Sequence, residues 1–187
     1  MMQFHPSPIA DLFVAESTAL ADERGSFMRL YCAPSQQDSL GFKKEIVQIN
    51  RSTTAKKGSL RGLHYQRFPA LEAKMVRCLR GRVYDVAVDL REGSATFLEH
   101  FSIELDGQKG LALLIPEGFA HGFQTLEDDC EMLYLHSAAY AKEYEGGLRY
   151  DDPALHIRWP LPVGAMSLRD KAFALLDKNF RGITHAV

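Results

Sequence analysis

Two stretches of the chain concentrate residues that move protons or hold charge. The first is Gly58-Ser-Leu-Arg61-Gly-Leu-His64-Tyr-Gln66, followed by Lys74 and Gly81. The second is Gly110-Leu-Ala-Leu-Leu-Ile-Pro116-Glu-Gly118-Phe-Ala-His121. An imidazole exchanges a proton near neutral pH, its unperturbed pKa being about 6.5. A lysine ammonium stabilises negative charge as it develops on a carbonyl oxygen. His64, His121, Lys74 and Arg61 thus suit an anionic or carbonyl ligand. They also suit proton abstraction beside a ketone, with a base at carbon and a cation at oxygen. That chemistry requires no metal and no redox cofactor.

The elements that must position these groups read as strands. In Lys74 to Arg80, residues 74, 76, 78 and 80 share one face. In Arg82 to Leu90, Tyr84, Val86, Val88 and Leu90 make an apolar face, and Asp85, Ala87 and Asp89 a smaller polar one. Phe97 to Leu105 alternates as well, and Cys130 to His136 is a further candidate. Gly81, Glu92-Gly93-Ser94, Asp106-Gly107 and Glu127-Asp128-Asp129 read as turns between them. Short strands at about ten-residue spacing predict an all-β sandwich or barrel. One helix is expected near the C-terminus. There Ser167 and Asp170 make a capping box, with Leu168, Ala172, Leu175 and Leu176 at helical spacing. Pro153, Pro160 and Pro162 predict an irregular approach to it.

The 187 residues fit a single domain spanning 1–187. With 46% apolar and 25% charged residues, the chain has the composition of a packed globule rather than of a disordered segment. A net charge of -2 offers no electrostatic footprint for nucleic acid or an anionic membrane. No apolar run approaches the ~18–20 residues of a membrane span. The opening Met-Met-Gln-Phe-His-Pro lacks the pattern of a signal peptide. Cys32, Cys78 and Cys130 are odd in number and lack metal-ligand spacing, so they read as buried thiols of a reducing compartment. A cytoplasmic protein is the expectation.

The two stretches resemble the two cupin motifs, G-x5-H-x-H-…-E-x6-G and G-x5-P-x-G-x2-H. The resemblance implies a double-stranded β-helix, a small jelly roll with its site inside the barrel. In metal-binding cupins the ligands are the two His, the Glu and the later His. Here Gln66 replaces the second His and Lys74 the Glu. An ammonium repels a divalent cation, so no metal is expected.

Longer stretches narrow the resemblance. Asp22-Glu-Arg24-Gly25-Ser-Phe27, Gln48-Ile-Asn50, the Gly58–Gln66 motif, Asp85-Val-Ala-Val-Asp89-Leu-Arg91 and Ile115-Pro-Glu-Gly-Phe-Ala-His-Gly-Phe123 resemble the dTDP-4-dehydrorhamnose 3,5-epimerase family. Glu145-Gly-Gly-Leu-Arg149, Asp152-Pro153 and Trp159-Pro160 fit too, so the likeness runs over roughly residues 4–177. It implies a cofactor-independent epimerase of a nucleotide-linked 4-keto-6-deoxyhexose. It also implies a homodimer whose N-terminal strands help build the partner's pocket. His64 would remove the proton beside the ketone, supported by Asp170. Lys74 and Arg61 would stabilise the enolate, and Tyr134 would return a proton to the opposite face. Arg24 would reach phosphate or sugar. Phe27 and Tyr140 would stack on the base, with Gln48 and Asn50 lining its pocket. His121, Glu145 and Arg169 would complete the substrate shell.

Arg29 stands where the family pattern has a Glu at the nucleotide end. A carboxylate accepts from a ring N–H and a guanidinium does not. That leaves open another nucleotide, CDP or GDP, a single-centre 3- or 5-epimerase, or a non-catalytic sugar-nucleotide-binding cupin. Other residues carry structural readings. Asp85 and Asp89 are expected to pair with arginines, Asp170 to serve either as a cap or as the imidazole's partner, and His5, His100, His136 and His156 to have no role. Arg61 and His64, three apart, face opposite ways in a regular strand, so Gly62 marks a bulge if both serve one site.

Overall fold

The fold is described from a computed structural model over residues 2–34 and 44–184. Its strands are β1 (Met2–Pro6), β2 (Phe13–Ser17), β3 (Leu20–Asp22), β4 (Gly25–Phe27), β5 (Gln48–Thr54), β6 (Leu60–Gln66) and β7 (Lys74–Arg80). They continue with β8 (Arg82–Asp89), β9 (His100–Asp106), β10 (Leu111–Ile115), β11 (Phe119–Thr125), β12 (Cys130–His136) and β13 (Glu145–Gly147). One antiparallel sheet runs β1-β2-β10-β7-β12-β5 and the other β13-β6-β11-β8-β9, while β3 and β4 pair as a separate ribbon.

The interior between the two sheets is apolar at one end. Val76, Cys78, Leu113 and Met132 of the first sheet meet Val83, Ala87, Leu105 and Phe123 of the second. The outer face of the five-stranded sheet is covered by the C-terminal segment through Leu148, Leu155 and Ile183. On the outer face of the six-stranded sheet, Tyr31 and Ile46 pack against a cluster containing Met75 and Leu114. Two facing antiparallel sheets connected in this order form the jelly roll that the sequence predicts.

Three expectations are corrected. The alternating run from Phe97 yields a strand only from His100, because Thr96–Glu99 turn back. Asp89 fixes that turn by accepting from the Ser94 and Thr96 hydroxyls, each at 2.7 Å. The C-terminal helix, α1, is a single turn, Leu168–Lys171. Beyond it, the Leu176 amide donates to the Asp152 carboxylate at 2.6 Å instead of to a carbonyl one turn back, and Leu168 is exposed. Cys78 and Cys130 are buried, but Cys32 is only half-buried.

Candidate active site

A cavity of about 680 Å³ opens between the sheets. Its walls bring together His64, Tyr134, Lys74, Asp170, Gln48, Asn50, Arg61, His121, Tyr140, Glu145 and Arg169. Arg24, Phe27 and Arg29 do not line it. Arg24 turns back onto Asp22, Phe27 is 69% exposed, and Arg29 reaches Cys32. Within one chain, then, the expected nucleotide contacts of these three residues are not made.

Strand β6 carries Arg61 and His64. Opposite them on β11, Phe123 pairs with Arg61 and His121 with His64, so β6 takes three steps where β11 takes two. This is a bulge, and Gly62 occupies it with φ +112°. A Cβ at Gly62 would lie 2.7 Å from the His121 carbonyl oxygen. The extra residue turns both side chains toward the cavity. Arg61 then donates to Thr54 Oγ1 and to the Thr53 carbonyl, both at 2.9 Å.

His64 Nε2 lies 2.9 Å from Asp170 Oδ1, and the Gly62 amide donates to Asp170 Oδ2 at 3.1 Å. Asp170's own amide donates to Ser167 Oγ at 3.0 Å. The two readings of Asp170 are therefore compatible, since its backbone serves the cap while its carboxylate serves the imidazole. Burial pushes that carboxyl's pKa up, but the His64 contact and the Gly62 bond outweigh it and hold the group well below the usual range.

Tyr134 stands on β12, in the other sheet from His64. Its hydroxyl bonds Ser52 Oγ at 2.9 Å, and its ring is 6.3 Å from that of His121. Burial pushes its pKa up to about 12, so it keeps its proton across the physiological range. His121 Nε2 lies 2.9 and 3.0 Å from the two oxygens of Asp85. Asp85 thus pairs with a histidine rather than an arginine, whereas Asp89 does pair with Arg91 as expected.

Lys74 is almost fully enclosed, and its Nζ lies 2.5 Å from Glu72 Oε1. Glu72 also receives His136 Nδ1–H at 2.8 Å, while Asn50 Nδ2 stands 3.3 Å from His136 Nε2. Burial pushes the Glu72 pKa up, but the Lys74 charge and the His136 bond outweigh this and lower it to about 2. The His136 ring stacks on Tyr134 with centroids 6.1 Å apart. Glu72, His136 and Ser52 are cavity residues missing from the sequence reading, and His136 does not stand idle. The pairing of His136 with Lys74 across β12 and β7 brings them together, a relationship the sequence does not show.

Gln66 stands at a cupin metal-ligand position, but its amide group is spent on the backbone. It donates to the Ala70 and Ala139 carbonyls and accepts from the Ala141 amide. With Lys74 tied to Glu72 at the other altered position, the donor set does not suit a divalent cation.

A family model described as dTDP-4-dehydrorhamnose 3,5-epimerase matches residues 6–178. The chain belongs to this family. The dTDP-4-dehydrorhamnose 3,5-epimerase of Salmonella typhimurium is 40% identical over 179 residues, 95% of this chain and 97% of the relative. The crystal structure of the dTDP-6-deoxy-D-glucose-3,5-epimerase RmlC of Legionella pneumophila, in complex with dTDP-4-keto-L-rhamnose, superposes with a TM-score of 0.91. It is 37% identical, and each chain is covered in full. A double mutant of ChmJ, a 3'-monoepimerase of Streptomyces bikiniensis, was solved with dTDP. It has a TM-score of 0.85 and 30% identity, covering 91% of this chain and 86% of that one. Its two replaced residues, a His and a Tyr, stand seventy positions apart. The chain is thus an isomerase of the cupin fold. Among the described residues, no helix is long and apolar enough to cross a membrane.

Proposed function

We propose that this isomerase acts on a dTDP-linked 4-keto-6-deoxyhexose. It inverts the carbons flanking the ketone, C3 and C5, without a cofactor, in the manner of a dTDP-4-dehydrorhamnose 3,5-epimerase. The observation that carries the reading is the placement of His64 and Tyr134 in opposite sheets of one cavity. Inversion needs a base on one face of the sugar ring and an acid on the other, because one group working alone returns the proton to the face it left. His64 takes the proton from the carbon beside the ketone, the C–H electron pair forms a double bond to C4, and the π pair of the C4=O bond moves onto the oxygen. Lys74 stabilises the resulting oxyanion, an interaction of the kind worth about 2.7–4 kcal/mol. Tyr134 then protonates the carbon from the far side. The seventy-residue spacing of the His and Tyr replaced in the Streptomyces enzyme equals that of His64 and Tyr134.

The enclosed end of the cavity, with its His–Asp and Lys–Glu pairs, takes the hexose. Tyr140, Gln48 and Asn50 at the mouth take the nucleotide. Tyr140 is half-exposed, and its ring can stack on a base. The chain works as a homodimer in which the N-terminal region of one copy completes the other's nucleotide site. The ribbon β3–β4 supports this, since it carries Arg24 and Phe27, is exposed along its length and holds no position in its own cavity. Sedimentation at micromolar concentration is expected to give twice the chain mass, and a monomer there contradicts this arrangement.

The test of the activity is NMR of dTDP-4-keto-6-deoxyglucose with the protein in deuterated water. Deuterium is expected at C3 and C5, with the inverted product. The CDP- and GDP-linked sugars, run in parallel, ask whether Arg29 selects the base. Failure of deuterium to enter the dTDP sugar removes the reading.

A further inference from the structure

Arg77 is 2% exposed, so its guanidinium is withdrawn from water. Among the described residues no carboxylate pairs with it, and its Nε has no hydrogen-bond partner. The other two nitrogens go to neutral groups. Nη1 donates to the Gly110 carbonyl at 2.6 Å. Nη2 donates to Ser17 Oγ at 3.2 Å and to the Leu30 carbonyl at 3.5 Å. Burial pushes the Arg77 pKa down to about 10, so the group keeps its charge at neutral pH. A buried charge without a counter-charge costs stability that a methionine in its place would not. What the guanidinium adds is geometry, since its donors sit in a fixed planar fork and reach several acceptors at once.

Two of those acceptors are the feet of the β3–β4 ribbon. The chain leaves β2 at Ser17, runs through β3 and β4, and returns at Leu30. The two ribbon strands form a sheet of their own and are exposed along their length, so the ribbon's direction is set at its feet. The path of the arginine is prepared by small residues. Arg77 of β7 pairs with Ala112 of β10, and Ala112 pairs with Ala15 of β2. Both alanines are fully buried, and their short side chains let the arginine lie across β10 toward the end of β2. Gly110 completes the joint. Its carbonyl also accepts from the Ser17 amide at 3.0 Å. A Cβ at Gly110 would clash with the Ser17 carbonyl oxygen and lie 2.9 Å from Met28 Sδ.

We propose that Arg77 is a positioning residue that aims the ribbon, and with it Arg24 and Phe27, at the nucleotide. The guanidinium pins Ser17 and Leu30 to one point at the start of β10. Held there, the ribbon presents Arg24 and Phe27 already ordered to a nucleoside diphosphate in the partner's cavity. Released, it must be ordered on binding, so affinity falls while the chemistry at His64 is untouched. The inference rests on the reading that the ribbon completes a nucleotide site.

The test is a double-mutant cycle on the full-length protein, read by dTDP affinity in calorimetry and by steady-state kinetics. Arg77→Met is expected to raise the dTDP Kd and the KM about tenfold, the scale of two side chains that must be ordered on binding. The kcat and the sedimentation mass are expected to match wild type. In a chain carrying Arg24→Ala and Phe27→Ala, Arg77→Met is expected to weaken dTDP no further, because the arginine then has nothing to aim. Ser17→Ala removes an acceptor at one foot and keeps the arginine. It is expected to raise Kd by a smaller factor, and it decides the matter if Arg77→Met fails to fold. An unchanged dTDP affinity in the deciding variant overturns the proposal, as does an equal loss with and without the ribbon side chains. A fall in kcat or in sedimentation mass shows a role in the fold or the assembly and overturns it too. If Arg24→Ala with Phe27→Ala leaves dTDP affinity unchanged, the reading of the ribbon itself fails. If that pair weakens dTDP and the Arg77 variant does not, only the role of Arg77 fails.

Discussion

Asp170 lies 2.9 Å from His64 Nε2 while Ser167 caps its amide and the Gly62 amide holds its second oxygen. With its backbone capped, and its carboxylate also bonded by the Gly62 amide and by Arg169 Nε at 3.2 Å, Asp170 has little freedom to turn, so it fixes the imidazole's orientation. Asp170→Asn preserves size but removes the charge that supports a protonated His64. It is expected to lower kcat by about 10²–10⁴-fold with a much smaller change in KM. Steady-state kinetics check this, and an unchanged kcat would show that the carboxylate serves only the fold.

Tyr134→Phe removes the acid from the far wall and leaves His64 in place. Proton removal then continues while delivery to the opposite face fails. The expected result is a fall in epimerised product of about 10²-fold or more, with deuterium still entering the substrate at retained configuration. NMR in deuterated water reads both. Since burial holds the Tyr134 pKa at about 12, no alkaline loss of activity below that region should arise from this residue.

Lys74 and Glu72 form one enclosed pair, so their variants differ in kind. Lys74→Met is expected to lower kcat by about 10²–10³-fold through loss of oxyanion stabilisation. Glu72→Ala strands an enclosed ammonium and is expected to cost about 2 kcal/mol or more of stability as well as activity. Denaturant unfolding of both variants, alongside kinetics, separates the two effects.

Acid sensitivity follows from the same carboxylates. Glu72 is lowered to about 2 from an ordinary 4.5, and Asp170 is lowered as well. A depressed folded-state pKa gives stability that is fully present above the unfolded value and is lost as pH falls through the folded one. Melting temperature is therefore expected to fall from about pH 4.5 downward, and Glu72→Gln is expected to flatten part of that fall. Calorimetry across this range checks the sign, and a melting temperature that rises on acidification contradicts it.

Strand periodicity made most of the barrel legible, because Val76 and Cys78 in Lys74–Arg80 and Cys130 and Met132 in Cys130–His136 recur every second residue on the face turned to the interior, although Met75 and Leu135 are buried on the other face. Motif spacing made His64, Lys74 and His121 legible. Glu72 lay just before an alternating run, and only the β7–β12 register brings His136 beside Lys74. The helix at Ser167 was overread because its cap is real while its continuation is diverted by Asp152. Arg24, Phe27 and Arg29 were legible as a motif but not as a location, since a single chain leaves them outside the cavity.

The central claim is that His64 removes the proton beside the ketone. Its most direct measurement is deuterium entry into dTDP-4-keto-6-deoxyglucose catalysed by His64→Ala, with dTDP binding measured on the same sample. The account predicts that dTDP still binds while deuterium entry falls to the uncatalysed level. Deuterium entering at the wild-type rate would contradict it.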